Sequence, residues 1–133
     1  MIKFDNSGGN SLSLTNSIID EPGTLTLSTP DTIDLTADNL VTNDGTTLPA
    51  KPSIVLGEPQ YVDLANHDYH LMPTSLGVDF APAAGGVDLD GRARDIDLPV
   101  KPDFLGPRDL GAYEVQPSCG VNDTIFCNGF DSF

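Results

Sequence analysis

The chain has 133 residues, twenty of them Asp or Glu against six Lys or Arg, for a formal net charge of −14 at pH 7. A surface this acidic repels phosphate backbones and anionic headgroups, which excludes nucleic acid as a partner. No apolar run approaches the roughly 18 residues a membrane-spanning helix needs. With 7% aromatics, no Trp, 13 Gly and 11 Pro, the composition describes an all-β chain broken by frequent turns.

From Ser11 the chain alternates, with Leu12 and Leu14 on one face and Ser11, Ser13 and Thr15 on the other, the period of a half-buried strand. Ile18-Ile19 follows a turn at Asn16-Ser17, and Asp20-Glu21-Pro22-Gly23 is a second, strong turn. Alternation resumes with Leu25 and Leu27, then with Ile33 and Leu35. The pairs Leu12/Leu14, Ile33/Leu35 and Ile54/Leu56 stand twenty-one residues apart, and Ile18-Ile19 returns as Leu40-Val41 after twenty-two. A recurring period is a solenoid signal. Short strands joined by tight turns come to about this length in one coil of a three-faced β-helix. Stacked coils would bury Leu12, Leu14, Ile18, Leu25, Leu27, Ile33, Leu35, Leu40, Ile54 and Leu56. Asn16 and Asn39 suit the left-handed turn conformation that Asn tolerates. Thr42 to Pro52 reads as a loop, and the repeat is expected to run through Tyr61-Val62-Asp63-Leu64.

From Asn66 alternation is lost among Pro73, Pro82, Gly85-Gly86, Pro99, Pro102 and Pro107. A structureless stretch of this length has to pack on something, and covering the open end of a solenoid is such a role. Within it, Asp88-Leu89-Asp90-Gly91 followed by Asp95-Ile96-Asp97 offers carboxylates to Ca²⁺, with Asp88 and Asp90 as the expected ligands, although the glycine comes too early for an EF-hand and no Glu closes the loop. The alternative is an Asp-Gly turn whose carboxylates cap backbone N–H groups and pair with Arg92 or Arg94. His67 and His70 flank Asp68, but neither G-x-S-x-G nor H-E-x-x-H is present, so they read as surface polar residues.

Four clusters stand in a particular order: Asp68-Tyr69-His70-Leu71, Ser75 with Asp79, Asp88-Leu89-Asp90-Gly91 with Arg94, and Asp109-Leu110-Gly111-Ala112-Tyr113-Glu114. This succession resembles the closing segment of bacterial secreted right-handed parallel β-helix proteins, the pectate-lyase-like repeat proteins of the choice-of-anchor Q type. The tail Asp123-Thr124-Ile125-Phe126-Cys127-Asn128-Gly129-Phe130-Asp131 resembles the D-x-I-F-x-x-G-F-E ending of exported gammaproteobacterial proteins, with Asp131 in place of Glu.

The resemblance implies coils over 1–64, a loop-rich cap over 65–116 and a tail over 117–133. It implies a secreted or cell-surface location in a Gram-negative bacterium and an extracellular polysaccharide as the kind of partner met there. Because the start at Met1 lacks a signal peptide's apolar core, a beginning further upstream is expected. In an exported chain, Cys119 and Cys127 read as a small disulfide loop worth about 2.5 kcal/mol. Asp79, Arg94, Asp109, Tyr113 and Glu114 are the expected structural residues of the cap, with the Arg94 guanidinium bridging Asp79 and Glu114. Two functions follow: a non-catalytic structural terminus, or the end of a polysaccharide lyase or hydrolase whose catalytic coils lie upstream. An uncapped first coil would self-associate.

Overall fold

The computed structural model describes residues 2–3, 11–20, 27–28, 34–45, 48–99 and 101–117. Among the described residues the strands are, in order, β1 (Ile2–Lys3), β2 (Ser11–Ile19), β3 (Leu27–Ser28), β4 (Asp34–Thr42), β5 (Ile54–Leu56), β6 (Tyr61–Asp63) and β7 (Asp68–Leu71). The helical content among the described residues is one 3-10 turn at Leu64–Asn66. The chain is therefore β-rich, in small sheets.

The first five strands pair in parallel, β1 with β3, and β2 with β4 and then β5. Parallel neighbours require a connection that carries the chain back to its starting end. Leu12 lies beside Leu35 and Ile18 beside Val41. The side chains keep the same step, since Asn39 donates its amide to Asn16 at 2.9 Å and Asn43 donates to Asp20 at 2.9 Å, each pair 23 residues apart. Between β2 and β4 the step is thus 23 residues, not the 21 or 22 read from the apolar pairs, while β1 and β3 pair 25 residues apart, Ile2 beside Leu27. The next return is shorter, because Leu40 faces Ile54.

Asn16 and Asn39 occupy the left-handed region, with φ of 50° and 53°. Each bends a nine-residue strand into two arms, and the phase of burial changes across the bend. Before it, Leu12 and Leu14 are half-buried between exposed Ser11, Ser13 and Thr15. After it in β4, Leu40, Val41 and Thr42 are all buried, as in a parallel strand covered on both sides.

The expected inward set needs two corrections. Leu56 is 64% exposed at the end of the outer strand β5. The β6 strand does not continue the coil, because it pairs antiparallel with β7 through the 3-10 turn and His67 at φ 64°. Leu25 and Ile33, and the side chain of Leu27, lie outside the described residues.

The segment after β7 packs across the face of the parallel sheet rather than over its outer edge. Phe80, Ala81 and Leu110 bury themselves with Val41, against Ile18 and Val55, three residues in register on β2, β4 and β5. A second cluster joins Leu71, Val78 and Leu98 to Ile18, Tyr61 and Val115. Phe104 stacks on Phe80 with ring centres 4.6 Å apart. Backbone bonds complete the attachment, as Leu110 N–H donates to Gly77 O at 2.8 Å and Gly111 N–H to Asn16 O at 3.2 Å. Gly106 permits it, since a Cβ there would stand 2.9 Å from the Ala81 carbonyl oxygen.

Candidate functional site

Under the loop-rich segment, Ser75, Asp79, Asp88, Asp109 and Glu114 are all buried. A buried carboxylate is costly unless its oxygens are occupied, and these occupy themselves with the backbone of irregular loops. Asp109 accepts from Asp79 N–H at 2.8 Å and from Val115 N–H at 2.7 Å. Glu114 accepts from Ile96 N–H at 2.9 Å and from Asp109 N–H at 3.1 Å. Asp88 accepts from Arg92 N–H at 2.8 Å and from Glu114 N–H at 3.1 Å. Each carboxylate thereby fastens two segments distant in sequence.

Arg94 supplies the opposite half of the knot. Its guanidinium donates to the carbonyls of Asp109 at 2.9 Å, Gly111 at 3.0 Å and Tyr113 at 3.4 Å, and its Nε faces Glu114 Oε2 at 3.4 Å. The two side chains are 10% and 0% exposed, so this ion pair is out of water. Asp79 is not its second partner, which corrects the expected bridge. The Asp79 Oδ1 accepts from Leu98 N–H at 3.4 Å, and its Oδ2 is buried without a hydrogen-bond partner. A second, half-buried pair, Arg108 and Asp95 at 3.1 Å, closes the loop at Gly85.

The carboxylates titrate differently because their surroundings differ. Burial, with the charges of Glu114 and Asp79 nearby, pushes Asp109 up to about 6 against the N–H groups it accepts. Burial also raises Asp79. At Asp88 burial opposes the charged form, but the N–H groups of Arg92, Glu114 and Asp90 outweigh it and hold the carboxyl below its usual range. Asp95 is lowered in the same manner by Gly85, Ala84 and Arg108.

His70 stands at the surface of this knot. Its Nδ1 lies 2.5 Å from Asp68 and its Nε2 2.9 Å from Asp90, while its ring stacks on Tyr113 at 3.9 Å. Two acceptors on one imidazole ask for a proton on both nitrogens, and the hydrogen bonds to Asp90 and Asp68 raise its pKa. Spacing gave no sign of the Asp90 contact, because 20 residues separate the partners.

The calcium reading of Asp88 and Asp90 does not fit this arrangement. Both oxygens of Asp88 already accept backbone N–H groups, and Asp90 Oδ2 meets His70 with the Arg92 guanidinium 3.9 Å away. Of the carboxylates that the sequence offers to Ca²⁺, Asp97 falls in a different group, in which Asp79, Asp97 and Asp103 bring carboxylate oxygens within 4.8 Å of one another; spacing gives no sign of Asp79 and Asp103 as its neighbours. Lys101, which the sequence leaves among breakers, donates to the carbonyls of Ser75 and Val78. Cys119 and Cys127 lie outside the described residues.

No helix among the described residues is long and apolar enough to cross a membrane. No protein-family model, curated protein or solved structure matches the chain.

Proposed function

We propose that this chain is the closing part of a right-handed parallel β-helix of the pectate-lyase-like, choice-of-anchor Q kind, and that it is a non-catalytic structural terminus of a secreted or cell-surface protein. The observation that carries the reading is the 23-residue step kept by backbone and side chains together, in Leu12 beside Leu35, Asn39 on Asn16 and Asn43 on Asp20. A return in parallel register with stacked turn residues is what successive coils of a solenoid make, and it supports this reading. Right-handedness follows from the general hand of parallel crossovers.

The same motif residues that carry the resemblance, Asp88, Arg94, Asp109 and Glu114, meet in one knot and hold loop backbone. Their chemistry is occupied in supporting the segment on the sheet, which favours a structural role over catalysis. Extracellular polysaccharide is the surrounding such a terminus would meet. Because β2 is an edge of its sheet among the described residues, the isolated chain should also associate through that edge.

Incubation of the purified chain with polyuronides, with and without Ca²⁺, tests the structural reading. No product above the no-protein control is expected. Turnover abolished by His70→Ala would replace the reading with that of a lyase or hydrolase.

A further inference from the structure

We propose that Asp79, Asp97 and Asp103 form a divalent-cation site of calcium chemistry, which pins Asp97 and Asp103 to the buried segment beneath them. One carboxylate oxygen from each residue lies within 4.8 Å of the other two. Oxygens at about 2.3–2.6 Å from a shared Ca²⁺ are separated by at most about 5 Å, so this spacing is of the size that one shared ion requires.

Acidic residues gather on many surfaces without binding metal, but here a second observation points to a ligand. Asp79 has no solvent exposure, and its Oδ2 has no hydrogen-bond partner. An unpaired buried carboxylate oxygen forfeits its hydration without return, and a cation is the partner that restores it. Lys101 does not serve, because its ammonium is committed to the carbonyls of Ser75 and Val78 and makes no ion pair with Asp79 among the described residues.

The donor set selects the ion. All three ligands are carboxylate oxygens, with neither His nor Cys in the cluster, which is unlike a zinc site. Asp97 and Asp103 are exposed, so water can complete a large and irregular shell. Ca²⁺ accepts such a shell, whereas Mg²⁺ demands a compact octahedron. Bound there, the ion would join the loop to Asp79, whose own N–H is held by Asp109 in the buried knot.

The test is thermal melting and calorimetric titration of the full chain, first stripped with chelator, against CaCl2 and MgCl2. Ca²⁺ should raise Tm in a saturable manner, and more than Mg²⁺ does at equal concentration. Asp97→Asn combined with Asp103→Asn changes only exposed side chains, so the variant should melt like the wild type in chelator and bind Ca²⁺ at least ~10-fold more weakly. Asp34→Asn, also exposed, should keep the full response. A Tm unmoved by millimolar Ca²⁺ overturns the site. So does a shift that Mg²⁺ reproduces, which is screening of an acidic chain, or one that survives the double substitution, which is binding elsewhere.

Discussion

Arg94 shows how much a single side chain can do where no sheet ladder exists. Its fork reaches three carbonyls between Asp109 and Tyr113, and the pair it makes with Glu114 is buried. Arg94→Ala leaves that carboxylate without its counter-charge, a loss of roughly 3–5 kcal/mol. Arg92 is 57% exposed and only grazes Asp90, so Arg92→Ala should cost about 1 kcal/mol or less. Urea melts of the two variants side by side measure the difference, and equal small losses would mean that packing alone holds the loops. His70 offers a second test at this scale. Its folded pKa is raised, so its contribution to stability is complete below about 6.5 and is lost as pH rises through the folded value. Asp90→Asn removes the larger cause, and the His70 ring resonances in an NMR titration should then move at lower pH; an unchanged midpoint would contradict the contact.

The bend within each long strand is where local conformation and stacking meet. Asn39 combines a left-handed backbone with an amide that reaches Asn16. Asn39→Gly keeps the conformation and gives up one hydrogen bond, a cost of about 1 kcal/mol or less at so open a position. Asn39→Ala adds the left-handed strain of about 1–2 kcal/mol. Chemical denaturation should rank the two in that order, and an alanine no worse than glycine would mean that the bend relaxes. This much was legible in the sequence, because Asn before a pair of apolar residues recurs and few residues tolerate that conformation. The strand period was misread by one or two residues for a physical reason: Leu12 and Leu14 match Ile33 and Leu35 in type, whereas the real partner of Leu14 is Ala37, which apolar pattern alone undervalues. The antiparallel turn of β6 onto β7 escaped notice because β strands of either sense alternate alike. In the cap, the succession of Asp, Arg and Glu marked the residues of the knot. It did not mark the partners, since most contacts are to backbone groups that carry no sequence signature.

Across the whole molecule the carboxylates respond to pH in opposite senses according to whether burial or hydrogen-bond donors dominate around each. Asp109, raised to about 6 by burial and its acidic neighbours, contributes stability that is complete below about 4 and lost as pH rises through about 6. The shift is equivalent to about 3 kcal/mol. Asp88 and Asp95 are lowered, so their contributions are present above the usual carboxylate range and vanish only in stronger acid. Together with His70 these shifts predict a higher Tm at pH 5 than at pH 8, and a scanning calorimetry series that rose with pH would contradict them.

The 23-residue register of β2 on β4 underlies the sheet on whose face the knot is built, and cysteine pairing reads that register directly. Ser13 and Thr36 are exposed and lie side by side on β2 and β4. Neighbouring strands stand about 4.8 Å apart, within the Cα range a disulfide accepts. With Cys119 and Cys127 replaced by Ser, the double variant Ser13→Cys/Thr36→Cys should oxidise rapidly to an intramolecular disulfide in the folded chain. Ser13→Cys/Asp34→Cys, the pair that a 21-residue repeat would bring together, should oxidise far more slowly. Equal rates, or the reverse preference, would contradict the 23-residue register of β2 on β4.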